Sequence, residues 1–159
     1  MQTYKIFFVA GLGIAFLAGC ALFGNRKPEV RLRIHEQASA ALPESHVMTV
    51  SIPMANLKIP VNPYYALDES DVVSATVRQT PGGSAIMLHF DVHGAIKFDE
   101  LTTRARGEYI VTVLNNHPVA AWLVDRRITN GEFLVEGDLS DVEAKQAVDA
   151  LNQMNKKRR

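Results

Sequence analysis

The sequence predicts an α+β domain, a mostly antiparallel sheet carrying two helices, over residues 30–152. Three observations predict it. Apolar residues recur at every second position in several short runs. Two other stretches switch to helical spacing, and Gly, Pro and Asn punctuate the boundaries. The chain of 159 residues is long enough for one domain and short for two.

Val30, Leu32 and Ile34 alternate with Arg31, Arg33 and His35, as in a half-buried strand. Met48, Val50 and Ile52 repeat the pattern before Pro53 stops it. Pro60 and Pro63 restrict residues 57–65 to an edge segment or an extended loop. Residues 72–79 are rich in β-branched side chains, and Pro81-Gly82-Gly83 turns them back. Ile86, Leu88, Phe90 and Val92 then form an apolar face opposite Met87, His89, Asp91 and His93, with Gly94 ending the strand.

Phe98, Leu101 and Ala105 predict a short helix over about residues 95–106, stopped by Gly107. The continuous apolar run 109–114 suits a central strand. Asn115-Asn116 begins a tight turn, and residues 119–128 return beside it. Thr129-Asn130-Gly131 turns again into Phe133-Leu134-Val135. Ser140 with Glu143 is a capping-box pattern, and the final helix offers Ala144, Ala147, Val148, Leu151 and Met154 to a core.

The 17 Lys+Arg balance the 17 Asp+Glu, which argues against a nucleic-acid partner. A single Cys excludes an internal disulfide framework and a zinc site built from several thiolates. No glycine-rich phosphate loop is present.

That Cys ends an address. Lys5, an apolar run over residues 6–18 and then Gly19-Cys20 describe a secretory signal peptide, too short for a permanent spanning helix. Leu17-Ala18-Gly19-Cys20 resembles a bacterial lipobox. The resemblance implies cleavage after residue 19, a diacylglyceryl group on the Cys20 sulfur, and an envelope location anchored in membrane lipid. Ala21 stands where an inner-membrane retention signal would carry Asp. The resemblance therefore favours the periplasmic side of the outer membrane, if the cell has one. Residues 1–19 are thus expected as signal peptide, 20–29 as lipidated Cys and tether, and 153–159 as a basic tail ending Lys156-Lys157-Arg158-Arg159.

The element order and its residues resemble the head subdomain of the first periplasmic loop of SecD and SecDF, membrane proteins that assist export through the Sec translocon. The likeness covers residues 71–152, and extends more weakly back to Val30. It rests on Phe98, Thr102, Thr103 and Gly107, then on an apolar strand, a turn and Pro118. Gly131, Phe133 and Gly137 follow, and Ser140, Asp141, Glu143 and Ala144 open the last helix. The chain departs from the family at Asn115-Asn116-His117-Pro118, where the family has an Asp-Gly turn before the Pro. The proton-linked work of SecD depends on six transmembrane helices, and no comparable run follows Cys20. The resemblance accordingly implies a binding role toward emerging polypeptides, or toward translocon subunits, and no motor.

Candidate chemistry is sparse. His89-x-Asp91-x-His93 would share one strand face and has metal-ligand character, yet that face is the polar one and no fourth ligand is in place. No metal and no cofactor are expected. Asp68-Glu69 and Asp99-Glu100 are neighbours that point apart, and no Gly-x-Ser-x-Gly elbow occurs, so no catalysis is expected. Tyr64, Tyr65 and Trp122 are the candidate polypeptide-gripping residues, because exposed aromatics offer area and an edge for hydrogen bonding. They also suit closure of the core's ends. Addition of a peptide to an edge strand would serve the same role without special side chains. The expected function is non-catalytic polypeptide binding linked to Sec-dependent export. The alternatives are an envelope assembly module that never contacts Sec, and a small metal-dependent enzyme resting on His89, Asp91 and His93.

Overall fold

The computed structural model describes residues 30–52 and 56–158. The expected signal peptide, Cys20, the tether, the stop at Pro53 and Arg159 lie outside the described residues. The chain begins with β1 (Leu32–Glu36), followed by the ribbon β2 (Met48–Ile52) and β3 (Leu57–Val61) and the two-residue β4 (Leu67–Asp68). The hairpin β5 (Val72–Thr80) and β6 (Gly83–Phe90) leads directly into helix α1 (Val92–Arg104). Then come β7 (Tyr109–Leu114), β8 (His117–Leu123), β9 (Glu132–Glu136) and helix α2 (Asp141–Arg158). All pairings among these strands are antiparallel, and the fold is α+β with two helices.

Four strands form one sheet in the order β4-β1-β7-β8, and β5-β6-β9 form another. The main core is built from Leu32 and Ile34 of β1, Ile110 and Leu114 of β7, Ile86 and Leu88 of β6, and the inner faces of both helices. Phe98 of α1 is wholly buried in it, with ring centroids 5.1 Å from Phe90 and 4.8 Å from Phe133. The other face of the four-stranded sheet meets the β2–β3 ribbon, where Val111 joins Val50, Ile52, Ile59 and Val61 in a smaller core. β7 is therefore buried on both faces, as its unbroken apolar run requires.

The turns follow from their residues. Asn115 and Asn116 have φ of 51° and 67°, the left-handed pair that a two-residue hairpin demands between Leu114 and His117. At Gly137 a Cβ would lie 2.0 Å from the Val119 carbonyl oxygen, so only glycine lets the end of β9 reach β8. The Asp138 N–H then donates to that same carbonyl at 2.7 Å. The capping box forms as expected: the Glu143 N–H donates to Ser140 Oγ at 3.3 Å, and the Ser140 N–H to Glu143 Oε2 at 3.0 Å.

Four local expectations are corrected. The sixth strand stops at Phe90 rather than Gly94, and α1 starts at Val92 rather than Ala95. Asp91 causes this, since its carboxylate accepts the Gly94 N–H at 2.7 Å and caps the helix. Val92 is consequently exposed instead of facing the core. His35 is buried rather than solvated, its Nδ1–H donating to the Asn62 carbonyl at 2.9 Å. The strand after the Asn turn ends at Leu123, not Ile128, because the following segment is tied to α1: the Ile128 N–H donates to Thr102 Oγ1 at 3.0 Å. α2 continues past 152 to Arg158, so residues 153–158 of the expected tail extend the helix.

Candidate functional site

The three aromatic candidates do not converge. Tyr64 and Tyr65 lie between β3 and β4, whereas Trp122 lies on β8 at the opposite edge of the four-stranded sheet. Tyr64 is 84% exposed, the most open of the large apolar or aromatic side chains among the described residues. Tyr65 is held from behind, with the Arg33 guanidinium 4.3 Å from its ring centroid and His35 edge-on at 6.3 Å. Trp122 packs onto Phe133, 5.7 Å between centroids, and so extends the aromatic row from Phe90 through Phe98 to the sheet edge. Its area is spent on the core.

The histidine cluster also separates. His89 stays on β6 beside Glu132 (3.4 Å), Asp91 caps α1, and His93 sits exposed in the first turn of that helix. Among the described residues no group of three or more His, Cys, Asp or Glu could hold a metal ion. The adjacent carboxylates are structural as well. Arg127 binds both oxygens of Asp99, and the guanidinium's hydrogen bond holds that carboxyl below its usual range. Asp68 is also held low: burial pushes it up, but hydrogen bonds from Ser70 outweigh that, with help from Arg33 and Lys97. Glu69 pairs with Arg33, and Lys97 of α1 pairs with buried Asp71 at 2.7 Å, which raises the lysine above its ordinary value. No helix among the described residues is long and apolar enough to cross a membrane.

What the sheet edges offer is more selective. The long strand β5 has an outer edge, and α2 covers it. Asn152 Oδ1 accepts the Ala75 N–H and its Nδ2 donates to the Ala75 carbonyl, both at 2.9 Å. One side chain thereby does the work of a neighbouring strand. β8 carries Pro118 and a register shift, and its Val119 carbonyl is taken by Asp138. β4 has only two residues.

β9 is the outer strand on the other side of the three-stranded sheet. The Phe90 N–H donates to the Gly131 carbonyl at 2.9 Å, so residues 133 and 135 hydrogen-bond to β6 and residues 132, 134 and 136 turn their backbone groups outward. Their side chains form the solvent face: Leu134 is 36% exposed, flanked by exposed Glu132 and Glu136. A pocket of about 510 Å³ opens beside Leu134, bounded by Met87, Ile128, Asn130 and Arg126. Sequence reading places Phe133-Leu134-Val135 after the Thr129-Asn130-Gly131 turn without singling out Leu134, although strand alternation between Phe133 and Val135 turns it outward.

The family model described as SecDF, P1 head subdomain, matches residues 45–153. Two solved structures share the fold. A crystal structure of SecDF in a super-membrane-facing form superposes with a TM-score of 0.62 at 23% identity, over 77% of this chain and 18% of that one. A structure of SecDF, described as a membrane component that enhances protein export, gives a TM-score of 0.62 at 21% identity, over 79% of this chain and 63% of that one. The chain thus spans under two thirds of either relative. No curated protein matches it.

Proposed function

This chain belongs to the SecDF P1 head subdomain family, and from that premise we propose that it binds polypeptides in connection with Sec-dependent export, without catalysing a reaction. The observation that carries the reading is the span of the family match, which runs from just before the β2–β3 ribbon to residue 153, well into α2. The fold shared with SecDF supports it. So does the separation of His89, Asp91 and His93, which removes the motive for a metal-dependent enzyme.

In this reading Cys20 carries acyl chains that hold the domain on the envelope membrane, facing the periplasm. Two or three chains, at about 0.8 kcal/mol per buried CH₂, anchor it essentially permanently. Its partners are membrane lipid, translocon subunits or exporting chains, and not nucleic acid. Tyr64 and Tyr65 remain available to a partner; Trp122 does so only through its outer edge.

In-cell crosslinking of the full chain followed by mass spectrometry tests the role. Recovery of translocon subunits or exporting precursors above a lipidated control is the expected result. Capture of mature envelope proteins alone would replace it with an assembly role outside Sec. The anchor has its own test: Cys20→Ser should abolish incorporation of labelled palmitate, and a labelled Ser variant refutes lipidation.

A further inference from the structure

We propose that the free edge of β9 takes up one extended, basic polypeptide segment as a fourth strand of the β5-β6-β9 sheet. The inference rests on the polypeptide-binding reading and gives it a place and a chemistry. Three observations lead to it.

The backbone groups are aimed and unclaimed by another strand. Residues 132, 134 and 136 point their N–H and C=O groups away from β6, and among the described residues β9 has no second strand partner. Of these, the Glu132 N–H is already met by Asn130 Oδ1 at 3.1 Å, so docking begins at Leu134 and runs toward Glu136.

The charges choose the partner. Glu132, Leu134 and Glu136 are successive side chains on the solvent face, an acid-apolar-acid row. Both acids are held in position: Asn130 Nδ2 donates to Glu132 Oε2 at 3.2 Å with His89 at 3.4 Å from the other oxygen, and the Thr80 hydroxyl donates to Glu136 Oε1. Of the two cations lining the pocket beside Leu134, Arg127 is occupied by Asp99, and Arg126 leans on Asp125 at 3.5 Å. An added strand with Lys or Arg at positions i and i+4 and an apolar residue at i+2 would complement the row.

The same row rejects a second copy. The strand reads Glu-Phe-Leu-Val-Glu, so antiparallel self-pairing centred on Leu134 sets Glu132 of each chain against Glu136 of the other. Like charges directly opposite one another are destabilising. The acids thus protect the edge from its own kind while leaving it open to a basic segment. The pocket beside Leu134 then receives the segment's apolar side chain.

The test uses the full chain in detergent and two blocked peptides, Lys-Thr-Val-Thr-Lys and its twin with Glu for both Lys. Amide hydrogen exchange and chemical-shift perturbation are read residue by residue. The Lys peptide should slow exchange at the Leu134 and Glu136 amides, and the Glu twin should not. Leu134→Pro deletes one outward donor without touching the β6 pairing, and should weaken binding about tenfold, the value of one lost hydrogen bond. Glu132→Lys with Glu136→Lys should reverse the preference toward the Glu peptide, and this exposed pair decides the matter should the Pro variant misfold. Binding with perturbation elsewhere, near Tyr64 for example, and none at Leu134 overturns the edge inference and leaves polypeptide binding standing. Failure to bind either peptide or an unfolded precursor overturns both.

Discussion

β5 and β9 are the two outer strands of one sheet, and they are finished in opposite ways. The nine-residue β5 is closed at its middle by the Asn152 amide, while the outer edge of the five-residue β9 takes no strand among the described residues and is guarded by two carboxylates. Length explains much of the difference. A long, flat edge is a template for aggregation and is safest under a helix. A short edge can be policed by charge, which deters a like-charged strand and still admits an oppositely charged one. The contrast teaches that the sheet has one structural side and one side with freedom to associate.

The largest perturbation strikes the corner that carries β9 to β8. Gly137→Ala would drive a Cβ to 2.0 Å from the Val119 oxygen. It should cost about 3 kcal/mol, at the upper end of overpacking, read as a lowered denaturation midpoint with unchanged m-value. Asn152→Leu comes next. It keeps helix propensity but strands the N–H and C=O of buried Ala75, at a cost of about 1–3 kcal/mol. Exchange at the Ala75 amide should accelerate, and β5 should then associate as readily as β9. Retained stability with slow exchange there would show that α2 closes the edge by packing alone.

Ser140→Ala acts further away, through the cap of the helix that covers β5, and should cost about 1 kcal/mol. It also carries a pH signature. Hydrogen bonds from Ser140 hold the Glu143 carboxyl below the usual glutamate value of 4.5, with His117 adding to the effect. A depressed folded-state value means that this stabilisation is fully present above about pH 4.5 and is lost as the pH falls through the folded value. The Ala variant should therefore show a shallower acid decline than the parent. The smallest effect on folding belongs to Glu132→Lys, within about 0.5 kcal/mol as for most surface changes. In self-pairing, however, the new lysine would sit across from Glu136 of a second copy, so sedimentation should detect concentration-dependent dimers that the parent does not form.

Much of the chassis is legible in the sequence because its signals are local. The Asn115-Asn116 turn, the Ser140–Glu143 cap and the alternation of β1, β2 and β6 each declare themselves within a few residues. The start of α1 is misread because Val92 and His93 continue a period-two pattern while Asp91, a strong cap, overrides it. The motif residues that carry the family likeness prove to be chassis too. Thr102 ties α1 to the loop before β9, Gly131 turns at φ 69° against Ala95, and Gly137 permits the corner. The candidate site is far less legible. Asn152 meets Ala75 across 77 positions, and no periodicity encodes that pairing or reveals which edge it leaves open. Trp122 illustrates the converse, since type and spacing suggest a gripping surface while packing on Phe133 commits most of the ring.

The position of β1 has a kinetic consequence. It is the first strand of the described chain, yet it lies inside the four-stranded sheet, and the Arg31 N–H beside it finds its acceptor on Asn115, 84 positions later. A chain delivered from its amino end must therefore carry β1 with only the two-residue β4 beside it until β7 arrives, and the central sheet closes late. Loop closure over such a span slows folding. During that interval the domain is itself an extended polypeptide with an apolar strand on display, the same kind of object it is proposed to receive.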